Sequence, residues 1–136
     1  KYLKERYMQN KLKLSKESSS KLDSLSQKLN LRRNIICRLA IGRSLADDSS
    51  VVEIEPLDNT GFEFNRYTLT GEHDNIYKLL IVQHEGKKID DDSYFSIYLR
   101  NHVERGIEML YEEYQRINSA TEFLLFLSSL SEENSK

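Results

Sequence analysis

The sequence predicts a mainly α-helical protein that folds as a single domain, with a short strand and two helices first, then an aromatic-rich extended segment and further helices. Apolar residues recur at helical spacing in five stretches, whereas the period of two that marks a strand is confined to short runs. A length of 136 residues with 38% hydrophobic composition supplies one modest core. We expect a basic strand-helix-helix unit over 10–48, an acidic, aromatic-rich helical part over 49–114, and a C-terminal helix and tail over 115–136.

The basic unit opens with the predicted strand. Lys11 and Lys13 alternate with Leu12 and Leu14, which places the lysines on one face and the leucines on the other. A strand this short is not stable alone, so it requires a partner strand from elsewhere. Residues 1–9 ahead of it could form a short helical arm or fray, and their pattern favours neither.

Two helices follow the strand. Ser15 is the predicted N-cap of the first helix, which ends at Asn30. Arg32–Arg33 form the predicted connection, and Asn34 is the predicted cap of the second helix. Apolar residues lie on nearly every side of the second helix, so we expect it to be mostly buried, with Gly42 allowing close packing against another helix. The first helix has a narrow apolar stripe, which consists of Leu22, Leu25 and Leu29.

The acidic part contains the remaining predicted elements. A short edge strand is expected at Val51, Val52 and Ile54, and the aromatic run over 61–74 is expected to be extended or a hairpin. Three helices are predicted after it: one capped by Asp74 and running to about His84, with Glu85–Gly86 ending it; a longest helix opened by Asp90–Ser93; and a last, strongly apolar helix opened by a capping box at Ser119 and Glu122.

Charge is divided unevenly along the chain. Residues 1–46 carry twelve basic and three acidic side chains, a formal charge of +9, and residues 47–136 carry eight basic and nineteen acidic side chains, a formal charge of −11. The net charge of −2 therefore hides two opposite halves. Such asymmetry points to nucleic acid or another polyanion, and a solvated lysine-rich face is the alternative.

Several protein classes do not fit this composition. No apolar run approaches the roughly 20 residues that span a bilayer, and no secretory signal is visible. The one cysteine, Cys37, cannot form an intramolecular disulfide, and its apolar neighbours favour a buried, inert thiol. Five scattered glycines supply neither a phosphate-binding loop nor a nucleophile elbow. We therefore expect a cytoplasmic protein that uses no cofactor.

Candidate metal ligands form no recognisable motif. His73, His84 and His102 share no metal-ligand spacing, and a lone histidine on an apolar helix face is usually structural. The turn at Glu72–Asp74 is a weak candidate cation site. The triplet Asp90–Asp92 is most simply explained as helix capping and dipole complement, with a Mg²⁺ site as the alternative.

The order of strand, helix, basic turn and helix resembles the ribbon-helix-helix DNA-binding unit. In that unit, strands from two copies pair antiparallel and lie in the major groove. The resemblance implies that Lys11 and Lys13 face DNA while Leu12 and Leu14 face the helices. It also implies that residues 33–35 present the N-terminal amides of the second helix to a phosphate.

A more extensive resemblance covers residues 11–111. The phrases RRNIICRLAIGRSL, GFEFNRYTLTGEHDNIYKLLI and YFSIYLRNHVERGIEML resemble the DndE family, the small subunit of the bacterial DNA phosphorothioation system, in which sulfur replaces a non-bridging oxygen of the DNA backbone. Asn-x-x-Cys-Arg (34–38) and Arg-Gly-Ile (105–107) carry most of its specificity. The resemblance implies a mainly helical, oligomeric, DNA-binding protein with a preference for nicked duplex and a role for surface lysines. The tail from about Glu112 matches the family poorly, so its docking site is open.

Two functions from different classes follow. The first is a DNA-binding subunit without its own catalysis, which binds duplex or nicked DNA for other subunits of the sulfur-modification machinery. The second is a Mg²⁺-dependent nicking enzyme, whose best carboxylates would be Asp90–Asp92. An adaptor whose acidic helices bind a protein partner is compatible with the first. We also expect a homo-oligomer, a dimer or tetramer. The predicted phosphate contacts are Lys11, Lys13, Lys16, Lys21, Arg32, Arg33, Arg38 and Arg43.

Overall fold

The computed structural model describes residues 10–117 and 120–134. Its elements confirm the predicted mainly α-helical fold with a strand-helix-helix start. In chain order they are β1 (Lys11–Lys13), α1 (Lys16–Leu29), α2 (Arg33–Leu45), β2 (Glu63–Asn65), α3 (Arg66–Thr70), a 3₁₀ turn (Gly71–His73), α4 (Asp74–Glu85), α5 (91–116) and α6 (Ala120–Asn134). The long helix α5 is continuous, with π-helical residues Tyr94–Leu99 between an opening turn, Asp91–Ser93, and its main part, Arg100–Arg116. None of the helices in the described part of the chain is long and apolar enough to cross a membrane.

The two strands form a small antiparallel ribbon within one chain. Leu12 lies opposite Phe64, and Lys13 lies opposite Glu63. Leu12 and Leu14 are buried, as their alternation predicted. The partner strand thus comes from this chain, whereas the ribbon-helix-helix resemblance implies a strand from a second copy. The aromatic run predicted to be extended is extended only over β2 and then becomes helical in α3.

Helix α1 begins and ends where the sequence predicted. The Ser15 hydroxyl accepts a hydrogen bond from the amide of Ser18, and Asn30 ends the helix in the left-handed conformation at φ 55°. The apolar stripe is buried, and it packs between the ribbon and the longer helices. Local capping and periodicity were sufficient to define this helix.

Helix α2 differs from the prediction at both its start and its exposed face. Arg32 is the N-cap, with no side-chain capping bond, and Asn34 lies inside the first turn. The predicted cap is wrong because the helix begins two residues earlier than a cap at Asn34 requires, at Arg33. Leu39, Gly42 and Ala46 are exposed, so the helix is buried on one side only.

The closest helix crossing occurs where α5 lies against α2. A Cβ built on Gly106 would lie 1.9 Å from the backbone oxygen of Ala40. The prediction that Gly42 provides the close contact is wrong, since a Cβ there would have no atom within 4 Å. Gly106 is therefore the residue that lets the two backbones approach.

The connection between α2 and β2 contains no strand among the described residues, so the expected edge strand at Val51, Val52 and Ile54 is wrong. The Asn101 side-chain amide donates to the carbonyl of Val51 at 2.8 Å and to that of Ile54 at 3.0 Å. A side chain of α5 thus satisfies backbone groups that a partner strand would otherwise bind.

The acidic helices mostly begin and end as predicted. Asp90 caps α5 by accepting from the amide of Ser93, and Gly86 ends α4 at φ 71°. Helix α4 begins at Asp74, but His73 occupies the N-cap position instead of Asp74. The predicted capping residue Ser119 and the arm over 1–9 lie outside the described residues.

The last helix docks on α5 through one aromatic contact. Phe123 is fully buried, and its ring lies edge-on to that of Tyr114 with centroids 5.5 Å apart. Leu124 and Leu125 on the same helix remain exposed. The sequence predicted that this apolar helix docks on another element, and one side of the helix does so.

Substitution of Gly106 by Ala should test the crossing. We expect a loss of about 1–3 kcal/mol in the free energy of unfolding, because the new Cβ would overlap backbone atoms of Ala40. Urea unfolding followed by circular dichroism measures this. Gly42→Ala is the matched control, since its Cβ meets open space and should stabilise by about 0.5–1 kcal/mol through helix propensity. Equal stabilities for the two variants would contradict the assignment.

Candidate nucleic-acid interface

The eight basic residues predicted to contact phosphate divide into two groups. Five lie on or near the surface of the ribbon and the adjoining helix starts: Lys11, Lys13, Lys16, Arg32 and Arg33. We call these five residues the basic face. The other three, Lys21, Arg38 and Arg43, bind other groups of the chain.

The ribbon contributes the first part of the basic face. Lys11 and Lys13 alternate with the buried Leu12, so their side chains lie on the face away from the core. Lys13 is exposed, and Glu63 is its exposed cross-strand neighbour. Glu63 therefore offsets part of the positive charge on this face.

The start of α2 contributes the second part. No side chain caps its first amides, which leaves them able to bind an anion, and no acidic residue lies in the first turn. Arg32 is exposed at this position. Arg33 pairs with Asp23 at 2.5 Å, and both side chains are almost half exposed. The helix dipole and Arg32 thus add their positive potential at this surface, while Asp23 offsets part of the charge of Arg33.

Strand β2 brings the two parts of the basic face together. It pairs with β1 on one side, and the Arg33 guanidinium lies 4.6 Å from the centroid of the neighbouring Phe62 ring. Residues 62–65 and the start of α2, over 32–34, line an open cleft of about 510 Å³. This arrangement places a groove beside the basic residues.

Lys21 and Arg43 join the basic unit to α5. Lys21 lies 3.1 Å from a Glu17 carboxylate oxygen and 3.7 Å from one of Glu108. Arg43 donates to Glu113 at 2.6 Å, and the Glu113 side chain is only 10% exposed. Their charges are engaged within the chain, so their predicted phosphate contacts stay a prediction without support from this geometry.

Arg38 likewise acts inside the fold. Its guanidinium donates to the carbonyl of Leu69 at 2.8 Å and to that of Thr68 at 3.3 Å, at the end of α3. Gly71 follows in a positive-φ conformation, and a Cβ there would lie 3.2 Å from Arg38. Arg38 therefore holds α3 against α2 by binding its last carbonyls.

The buried carboxylate of Glu104 lies beneath α1, and the sequence did not indicate it. Glu104 is 8% exposed and accepts hydrogen bonds from the Ser15 amide at 2.6 Å, from the Ser15 hydroxyl at 3.0 Å, and from the Ser18 hydroxyl. It completes the N-terminus of α1, where negative charge is favourable. Residues 89 positions apart make this contact, so no local pattern signals it.

Arg66 is the second buried charge that the sequence did not indicate. It donates to Asp74 through Nε and Nη2 and to both oxygens of Asp91 at 2.8 Å. The hydrogen bonds to Asp91 raise the pKa of Arg66 further above its ordinary value. Those same bonds lower the pKa of Asp91 to about 2. This network joins the start of α3, the start of α4 and the start of α5.

Two of the three carboxylates considered for a catalytic Mg²⁺, Asp90 and Asp91, have structural roles. Asp90 caps α5, and Asp91 binds Arg66 and Lys78. In the turn before α4, Asp74 is buried against Arg66, while Glu72 and His73 are exposed. Within residues 10–117 and 120–134, neither Asp90–Asp92 nor Glu72–Asp74 forms a group of three candidate metal ligands.

The cysteine and two of the histidines lie in the core. Cys37 is fully buried, as predicted, and burial raises the pKa of its thiol well above its ordinary value. His84 and His102 do come together, with ring centroids 5.0 Å apart, although their separation in sequence indicated nothing. With Glu85 they are the group of candidate metal ligands within the described residues.

The fold and the charge distribution define a small, mainly helical protein with a basic surface built on a strand-helix-helix unit. A model of the family described as DNA sulphur modification protein DndE matches residues 11–118, which is most of the chain. The chain therefore belongs to the DndE family. No curated protein matches the sequence.

Two solved structures share the fold. The crystal structure of DndE from Escherichia coli B7A, involved in DNA phosphorothioation modification, has a TM-score of 0.58 at 23% identity, over 74% of this chain and 96% of that one. A DndE mutant with two glycines changed to lysine, also involved in DNA phosphorothioation, has a TM-score of 0.56 at 23% identity, over 76% and 97% of the two chains. The C-terminal helix extends beyond the family match.

The Arg66 network predicts how stability depends on pH. Since the folded pKa of Asp91 is lowered to about 2 from 3.8, its contribution is present above about pH 4 and is lost as pH falls towards 2. Asp91→Asn should cost about 1 kcal/mol at pH 7, because the carboxylate is half exposed and partly screened. The variant should also show a shallower loss of stability between pH 4 and 2 in urea unfolding. Asp92→Asn is the control, and an identical pH profile for the two variants would contradict the role of Asp91.

Proposed function

We propose that this protein is the DNA-binding subunit of a DNA phosphorothioation system, contacting the phosphate backbone through the basic face without catalysis of its own. Family membership supports the link to DNA sulphur modification. The observation that carries the binding mode is the meeting of ribbon lysines and the uncapped, arginine-bearing start of α2 at strand β2. Both are features that bind phosphate oxygens.

The charge distribution supports local binding over general attraction. The chain carries a net charge of −2, so its overall field does not draw it to DNA. Attraction must come from the basic face at distances within about 10 Å, the screening length at moderate salt. Phosphate contacts of this kind position the protein and select little sequence.

The proposal assigns the five basic-face residues to phosphate and leaves the three remaining predicted residues to the fold. Lys21, Arg38 and Arg43 bind carboxylates or carbonyls of the chain. Each would have to break those contacts in order to bind a DNA phosphate. The acidic helices α4 and α5 repel DNA and suit contact with the other subunits of the machinery. The absence of catalysis is part of the proposal, and the capping and ion-pairing roles of Asp90 and Asp91 support it.

Substitutions on the basic face should weaken binding to all sequences alike. Each neutralised phosphate contributes about −0.9 to the slope of log K against log salt on duplex DNA. Lys13→Ala and Arg32→Ala should each flatten that slope by about one, as measured by fluorescence anisotropy between 50 and 200 mM salt. Lys88→Ala, an exposed lysine of the acidic part, is the matched control and should change nothing. Parent-like binding by both basic-face variants would sink the proposal.

The same titrations with intact, nicked and single-stranded DNA, with and without Mg²⁺, separate binding from catalysis. We expect binding without Mg²⁺ and no strand cleavage on denaturing gels. Mg²⁺-dependent nicking that disappears in Asp90→Asn or Asp92→Asn would favour the enzyme instead.

We further propose a homo-oligomer, on altered grounds. The unpaired strand no longer supports it, because β1 pairs with β2. Exposed apolar residues on α4, Ile76, Leu79 and Leu80, now carry the expectation. Light scattering at tens of micromolar should give a dimer or tetramer, and Leu79→Lys should lower the measured mass. A monomeric parent protein would end this proposal.

A further inference from the structure

Three acceptor groups converge in the core where the end of α4 meets α5. One ligand atom from each of His84, Glu85 and His102 lies within 4.8 Å of the others. The side chains of His84 and Glu85 are 8% and 4% exposed, and His102 is fully buried. The cluster is therefore shielded from bulk water. None of its three residues belongs to the basic face.

The tautomer of His84 is fixed by its outer contact. Its Nε2 lies 2.6 Å from the backbone carbonyl of Asp47. A carbonyl oxygen only accepts, so Nε2 carries the hydrogen and Nδ1 of the neutral ring presents a lone pair. That Nδ1 is buried without a hydrogen-bond partner within the described residues.

The lone pair of His84 faces a carboxylate. Nδ1 lies 3.6 Å from Glu85 Oε1, which is too long for a hydrogen bond. Burial disfavours the charged carboxylate, yet the hydrogen bond from the Ser50 hydroxyl at 2.6 Å holds the pKa of Glu85 below its ordinary value. His84 Nδ1 and the Glu85 carboxylate thus face each other in the core without a hydrogen bond between them.

His102 completes the group from α5. Its Nδ1 lies 2.8 Å from the Ser44 hydroxyl, and its Nε2 is buried without a partner within the described residues. The Ser44 oxygen has two acceptor sites, one taken by Arg105 Nε at 2.8 Å, so it can also accept from Nδ1–H. Nε2 then presents a second lone pair, and burial lowers the pKa of the ring to about 3, which keeps it neutral.

We propose that His84, Glu85 and His102 bind a divalent transition-metal ion of the Zn²⁺ class. Two neutral imidazoles and a carboxylate suit Zn²⁺ and its neighbours, whereas Mg²⁺ and Ca²⁺ prefer oxygen ligands throughout. Ligand atoms about 2.1 Å from a tetrahedral ion lie roughly 3.4 Å apart, so atoms now within 4.8 Å of one another need to approach by up to about 1.4 Å. The cation removes the unfavourable approach of three acceptors.

The surroundings resemble the outer shell of a metal site. Each ligand is oriented by a second hydrogen bond, to Asp47, Ser50 or Ser44. The nearby Arg105 guanidinium opposes a cation, and the Glu85 carboxylate offsets that charge. The ion would join the end of α4 and the middle of α5, and its outer shell reaches the loop over 47–50. Its role is therefore structural, because the three ligands are shielded from bulk water.

Metal uptake by the tag-free full chain tests this proposal. After dialysis against a chelator, the protein is titrated with Zn²⁺ in competition with a chromophoric chelator, and with Co²⁺ to record ligand-field absorption. We expect one ion per chain and a thermal midpoint that rises with Zn²⁺ concentration. A folded parent protein that takes up no Zn²⁺ would overturn the site, and the cluster would then hold a proton or water.

Three variants locate the ion. His84→Gln and the nearly isosteric Glu85→Gln should each lower Zn²⁺ affinity by more than the 10–100-fold typical of an outer-shell loss. His73→Gln, an exposed histidine just before α4, is the matched control and should bind like the parent. Circular dichroism confirms that each variant is folded. Equal Zn²⁺ affinity in His84→Gln and His73→Gln would place the ion elsewhere and refute the proposal.

Discussion

The close crossing of α2 on α5 is the constraint on which the rest of the structure depends. Gly106 brings the α5 backbone against the Ala40 carbonyl, a distance that no other residue type allows without displacement. The neighbouring Arg105 binds the carbonyls of Ser44 and Ser49 at the end of α2, at 2.7 and 2.8 Å. Ile107 is fully buried beside them. The Arg-Gly-Ile sequence thus combines an end cap, a close approach and a core contact in three consecutive residues.

Buried charges then fix the remaining elements around that crossing. Glu104 binds the start of α1, and Arg66 joins the start of α3 to Asp74 and Asp91. A buried ion that loses its partner is costly, so these contacts specify which elements meet more than they add net stability. The Arg66 network holds elements of the acidic part together, whereas the Glu104 contact with Ser15 ties the basic unit to the acidic part and so helps oppositely charged halves form one domain. Lys21 and Arg43 extend the same linkage at the helix surfaces.

The basic side chains differ in whether they form ion pairs within the chain. Lys21 and Arg43 pair with carboxylates of α5, while Lys13 on the ribbon and Arg32 at the start of α2 are exposed. The fold therefore leaves positive charge at the surface of the basic unit, although the whole chain is slightly acidic.

The sequence alone determined the features that depend on residues a few positions apart. The mainly helical fold, the Ser15 cap, the end of α1 at Asn30 and the charge asymmetry all follow from local periodicity and capping. Only the tertiary structure decided which strand pairs with β1, which glycine permits the helix crossing, which basic residues are consumed by ion pairs, and that His84 meets His102. Among these contacts, His84 and His102 are 18 positions apart and Arg43 and Glu113 are 70 positions apart. No local pattern encodes such contacts, because their free energy comes from packing and desolvation that exist only when the helices assemble.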